Sequence, residues 1–162
     1  MIAVINASPL ISLALIDQID LLQKIFTSVY VPGHVYQEVV DEETQRPGAN
    51  IIRQAVWLKV IPINDEITTG ILSYQLDRGE AEVIALGCEM KADLLIIDEL
   101  KGRKIARHLG LNVSGTLGIL LMARELKLIP DIKPCIDQLI AKGIWISEKL
   151  YNQVLKMEKE ID

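Results

Sequence analysis

The chain has 162 residues, 50% of them hydrophobic and 24% charged, with a formal net charge of −5 and a mean hydropathy of +0.28. That balance fills one core and excludes disorder, and 10 Gly with 6 Pro exclude collagen-like and low-complexity classes. A negative surface excludes gripping duplex nucleic acid all over, so any nucleic-acid contact has to come from a local patch.

No apolar run reaches the roughly 20 residues of a membrane-spanning helix. The opening MIAVINASPL has no basic leader, so neither a span nor a signal peptide is expected. Cys88 and Cys135 lie far apart, and His34 and His108 are the two histidines. Neither a disulfide nor a zinc site is expected from such spacing; reduced thiols and a cytoplasmic location are.

The elements alternate along the chain. Ile2–Ile5 reads as a strand, and Ser8 followed by Pro9 reads as an N-cap with Pro at the first helical position. Helical patterns follow at 9–16 and 19–26, then a short strand at 28–31. Pro32-Gly33 opens a helix to about Glu42, and Asp41–Gly48 is the most loop-like stretch. A helix at 49–57, a strand at 58–63 and a helix near 66–76 lead to a turn at Asp77-Arg78-Gly79. An apolar helix at 80–91 precedes the buried type of strand at 93–97 (DLLII). A helix at 100–109, a strand at 111–113 and helices at 116–127, 131–142 and 147–159 complete the pattern. Such alternation predicts one α/β domain over 1–162 with a parallel sheet covered on both faces.

Ligands of such sheets bind beyond the carboxyl ends of the strands. Polar residues concentrate there: Asn6-Ala7-Ser8 after the first strand and Asp98-Glu99 after DLLII. For Asp98, a cap or strand end and a cleft carboxylate are equally good readings; Asn6 alone reads as a turn or cap. Glu80 begins a nearly all-apolar helix, where it favours the dipole or faces a site; Glu82, two residues on, points to another side. Glu38 and Glu42 share one helix flank, and the wheel does not choose between them. Carboxylates gathered in one pocket suit Mg²⁺ or Mn²⁺, which activate water and stabilise charge on a phosphodiester.

On these residues the sequence resembles the PIN domains, small metal-dependent ribonucleases that include the VapC toxins, and within them a largely uncharacterised prokaryotic branch. The resembling stretches are Val4–Leu10 (VINASPL), Val31–Val39 (VPGHVYQEV), Asp77–Leu86 (DRGEAEVIAL), Leu94–Arg103 (LLIIDELKGR) and Gly115–Leu121 (GTLGILL). The resemblance implies a three-layer α/β/α sandwich with a mainly parallel central sheet. It implies that helices 131–159 pack on this domain or form an interface. The family's four acidic positions fall on Asn6, Glu38, Glu80 and Asp98, and its small hydroxyl on Ser8. By resemblance, these four are the catalytic and metal-holding residues for Mg²⁺ or Mn²⁺, with Ser8 supporting them. Asn6 stands where the family usually has Asp, which removes one charge. Glu80 replaces an Asp, and Ile96 stands where many relatives have Thr.

Lys101, Arg103, Lys104 and Arg107, with His108, cluster on the helix after Asp98. They hold RNA phosphates or form a solvated face. Gly115-Thr116-Leu117-Gly118 lacks the ending of a phosphate loop, so Thr116 is expected to cap the next helix. Trp57 and Trp145 are expected in a core or an interface. With 4% aromatics, no base-stacking platform is expected. Two functional expectations follow. One is a metal-dependent endoribonuclease on single-stranded RNA, by resemblance the toxin of a toxin–antitoxin pair, with an antitoxin protein and a second copy of the chain as partners. The other is a catalytically weak PIN-like module that binds nucleic acid or a protein.

Overall fold

The computed structural model describes residues 1–161. Five strands form one parallel sheet: β1 (Ile2–Ile5), β2 (Ser28–Pro32), β3 (Leu58–Ile61), β4 (Leu94–Ile96) and β5 (Val113–Ser114), in the spatial order β3-β2-β1-β4-β5. Ten helices connect and follow them: α1 (Ala7–Leu15), α2 (Leu21–Ile25), α3 (Gly33–Val40), α4 (Ala49–Gln54), α5 (Glu66–Leu72), α6 (Arg78–Met90), α7 (Leu100–His108), α8 (Thr116–Glu125), α9 (Lys133–Ala141) and α10 (Glu148–Lys159).

β1 is apolar and central because it is covered on both sides. Ala3, Val4 and Ile5 are fully buried, as are Leu95 and Ile96 of β4. The register pairs Val4 with Tyr30 of β2 on one side and with Leu95 of β4 on the other. α6 lies across β1, β2 and β4, while α8 packs with α1, α2 and α10. α6 comes close to the sheet at Gly87, where a Cβ would stand 2.6 Å from Leu95 Cδ1. This alternation of strand and helix is the expected α/β/α arrangement.

The chain first moves outward, from β1 to β2 to β3, and then returns to place β4 on the other flank of β1. The strand order therefore reverses between β1 and β4. In open parallel sheets the crevice at such a reversal is where ligands bind. Asn6 and Asp98-Glu99 both emerge there, and the Asn6 amide N–H donates to the Ile96 carbonyl at 3.0 Å, tying the two strand ends together.

Three local expectations change. α1 begins at Ala7 with Asn6 in the cap position, not Ser8, because the Ser8 hydroxyl is engaged by Glu99. The turn at 77–79 is the start of α6: Asp77 caps it through the Glu80 N–H at 2.8 Å, so Arg78 and Gly79 are already helical. β5 sits at Val113–Ser114, two residues beyond the expected start, since Leu95 N–H donates to the Asn112 carbonyl and Ile97 N–H to that of Ser114. Cys88 is exposed, Cys135 is buried, and both are free thiols. No described helix is long and apolar enough to cross a membrane.

Candidate functional site

Asn6 is 5% exposed, so its amide needs partners inside the protein. Its side chain makes no cap bond to α1. Instead Nδ2 faces Glu99 Oε2 at 3.4 Å, and two residues on, Ser8 Oγ donates to Glu99 Oε1 at 2.7 Å. Two residues just beyond β1 thus hold one carboxylate from beyond β4.

Glu80 arrives from the opposite layer. It is the N3 residue of a capping box: its Oε2 accepts from the Asp77 N–H at 3.1 Å, and Asp77 Oδ1 accepts from the Glu80 N–H at 2.8 Å. Its Oε1 lies over Gly102 of α7, where a Cβ would come within 2.9 Å. Gly79 does the same service for Asn6, whose Oδ1 would be 3.4 Å from a Cβ at that position. Two glycines therefore leave room around the two oxygens. Burial raises the Glu80 pKa above its ordinary value; the Asp77 N–H opposes this, and the charges of Asp77 and Glu99 add to it.

Asp98 turns the other way. Its Oδ1 accepts from the Thr116 N–H and its Oδ2 from the Thr116 hydroxyl, each at 2.7 Å. Glu99 has extended backbone, and the two neighbours send their side chains apart, Asp98 to Thr116 and Glu99 to Ser8. Burial raises the Asp98 pKa, against the two Thr116 bonds, which lower it. Thr116 is thus a clamp on Asp98, not the cap of α8; Gly115 holds the cap position.

Glu38 lies half-exposed on α3 and pairs with Arg46 at 3.4 Å. Of the four sequence-derived acidic positions, the structure brings Asn6 and Glu80 into one cluster through Glu99. It directs Asp98 to Thr116 and Glu38 to Arg46. Glu82 is buried on α6 and takes the Arg78 Nε at 2.9 Å, so it serves another part of the helix. On α7, Lys101, Lys104 and Arg107 are exposed, while Arg103 is partly buried beside Asp98.

A family model described as a PIN domain matches residues 2–160. The chain belongs to the PIN domain family. No curated protein and no solved structure matches it. The match spans all five strands and ten helices, and the PIN fold is a nuclease-type module. In this PIN domain the cluster at the β1–β4 reversal consists of Asn6, Ser8, Glu80 and Glu99.

PIN domains generally depend on a divalent metal, and the donor chemistry of this cluster can be tested against one. No group of three or more His, Cys, Asp or Glu side chains able to hold a metal ion occurs among the described residues. The cluster offers two carboxylates, Glu80 and Glu99, and the Asn6 amide oxygen. Such a set fits Mg²⁺, a hard ion that keeps several waters and binds through one or two carboxylates and substrate phosphates. The room that Gly79 and Gly102 leave beside the Asn6 and Glu80 oxygens agrees with that fit.

Glu99 is the member that sequence reasoning passed over in favour of Asp98. The signal was present: after a buried strand, side chains alternate in direction, so Asp98 and Glu99 cannot both face Asn6. Only the position of Thr116, 18 residues further on, decides which does.

Proposed function

We propose that this PIN domain is a Mg²⁺- or Mn²⁺-dependent endoribonuclease acting on single-stranded RNA. The observation that carries the reading is the convergence of Asn6, Glu80 and Glu99 at the sheet's reversal point, with Ser8 fixing Glu99 at 2.7 Å. Glu80, Glu99 and the Asn6 Oδ1 would hold the ion. Glu38 and Asp98 complete the acidic set implied by the family, Asp98 from behind, where Thr116 holds it. When bound, the ion supplies positive charge to the phosphodiester and lowers the pKa of water.

The chain's own residues do the rest. Lys101, Lys104 and Arg107 on α7 hold phosphates of the strand beside the cluster, giving a basic strip to a negative protein. Glu80, whose carboxylate faces the cluster, takes the proton of the attacking water as its oxygen bonds to phosphorus and the bond to the leaving ribose oxygen breaks. Ser8 keeps Glu99 from swinging away as charge builds.

The alternative, a module that binds nucleic acid or a protein with weak or no cleavage, is favoured by one specific feature. Asn6 uses its amide N–H to bond Glu99, a bond that an Asp could not make. The finer toxin role rests on family resemblance; expression that arrests growth, relieved by a co-encoded protein, tests it. For a second copy of the chain, exposed Ile67, Ile71 and Tyr74 offer the apolar surface.

Cleavage of labelled single-stranded RNA in Mn²⁺, Mg²⁺ or EDTA decides between the two readings. The nuclease predicts metal-dependent cutting that falls in Glu80→Gln and in Glu99→Gln. Folded protein that binds RNA in Mn²⁺ and leaves it intact establishes the module. Cutting that survives EDTA and both substitutions removes the proposed chemistry.

A further inference from the structure

A cavity of about 460 Å³ opens behind Asp98, on the side away from Glu80. Its floor is the strand-end segment Ser114-Gly115-Thr116, and its walls are apolar side chains from α8 and α10, among them Leu121 and Val154. Two side chains of it are open to contact with a ligand. Trp145, between α9 and α10, lines the cavity and is 85% exposed. An indole left that open contributes little to the core. Arg103 lines the same cavity with its Nε buried and without a hydrogen-bond partner among the described residues. A buried guanidinium N–H left unmade is costly, so a ligand acceptor at that point would relieve it. Asp98, whose oxygens accept from Thr116, makes no hydrogen bond to this Nε.

An indole face at the rim, apolar walls and a guanidinium with an unbonded Nε–H are complementary to a flat heterocycle with two adjacent acceptors. Arg pairs bidentately with such an edge, as with guanine O6 and N7, and bases stack on aromatic faces. Cytosine O2 and N3 present the same two-acceptor geometry, whereas adenine and uracil place a donor beside the acceptor. The cavity and the cluster flank a single peptide, Asp98-Glu99.

We propose that this cavity is a base-reading subsite, in which Trp145 stacks on and Arg103 selects a guanine or cytosine next to the scissile phosphate. The proposal rests on the ribonuclease reading for its biological use, but base binding itself needs neither metal nor cleavage.

The test follows the two indole N–H signals by NMR in EDTA, with Trp57→Phe assigning the Trp145 resonance. Guanosine, cytidine, adenosine, uridine and inorganic phosphate are titrated separately. The expected result is a saturable shift of the Trp145 signal with guanosine or cytidine, about tenfold weaker with adenosine and uridine. In Arg103→Gln the four nucleosides become equal; in Trp145→Ala, an exposed position that folding tolerates, dialysis finds binding weakened about tenfold. Which of guanosine and cytidine binds better identifies the base. Equal shifts with all four nucleosides, a shift with phosphate alone, or no shift overturns the proposal. Cleavage of RNA with no base preference would also sink the subsite and leave the nuclease standing. Selective nucleoside binding with no RNA cleavage would do the reverse.

Discussion

Ser8 and Glu99 stand 91 residues apart in the chain and share a hydrogen bond of 2.7 Å, Oγ to Oε1. The bond joins the start of α1 to the entry of α7 and fixes the direction of the carboxylate nearest Asn6. Groups that orient a ligating side chain typically cost 10–100-fold in metal affinity or activity when removed. Ser8→Ala is expected to lower Mn²⁺ affinity by about that factor, read by calorimetry, while stability falls by about 1 kcal/mol. Unchanged affinity would show that Glu99 does not hold the ion.

Asn6→Asp should have opposite effects with and without metal. Without metal, a third negative charge joins Glu80 and Glu99, and the N–H donated to Glu99 Oε2 is lost. The melting temperature in EDTA should therefore fall, by about 2–4 °C for each 1 kcal/mol in a domain of this size. With Mn²⁺, the added carboxylate strengthens binding, so the metal-induced rise in melting temperature should exceed that of the wild type. A variant that loses stability in EDTA and gains nothing from Mn²⁺ would count against a metal at this cluster.

Glu80 supplies a pH signature. Its pKa is raised in the fold, chiefly by burial, so the folded state binds the proton more tightly than the unfolded chain, whose value is near 4.5. Its contribution therefore worsens as pH climbs from that unfolded value through the raised folded one, and stays unfavourable above it. Glu80→Gln keeps the capping box, which accepts Gln at N3, and removes the charge. In EDTA the variant should be more stable than the wild type at neutral pH, with the difference vanishing below about pH 4.5. Denaturation across that range measures it; a variant less stable at pH 7 would mean that the Glu80 charge is favourably compensated.

Much of the fold could be read because its strands are short, apolar and separated by clear helix periods. DLLII and the run around Val4 could hardly be other than central parallel strands, and the polar residues just after them had to meet at the strand ends. What could not be read was which side chain of a neighbouring pair faces which layer. Ser8 looked like a cap because Ser before Pro usually is one, and only the presence of Glu99 across the crevice changes its role. Thr116 looked like a cap for the same reason, and Asp98 draws its hydroxyl away. Glu38 and Glu42 read as sharing one helix flank, but α3 ends at Val40, and the chain does not reveal that Arg46 folds back to pair with Glu38. These are long-range choices between two good local partners, and local propensity carries no information about them.

The Asp98 clamp gives the last prediction. Both carboxylate oxygens rest on Thr116, and the approach depends on Gly115, where a Cβ would stand 2.7 Å from Asp98 Oδ1 and 2.9 Å from an Arg103 guanidinium nitrogen. Thr116→Val preserves shape and leaves Oδ2 without its hydroxyl partner. With one lowering influence gone, the Asp98 pKa should rise further, and stability at neutral pH should fall by about 1–3 kcal/mol. Thr116→Ser restores the donor and should recover most of that loss. Gly115→Ala strains the same contact from the backbone side and should cost about 1–3 kcal/mol as well. Because both changes act on one carboxylate, the double variant Gly115→Ala with Thr116→Val should cost less than the two single losses combined. Urea unfolding of the four proteins measures the coupling. Strict additivity would mean that Gly115 and Thr116 support different groups and that Asp98 is not held by both.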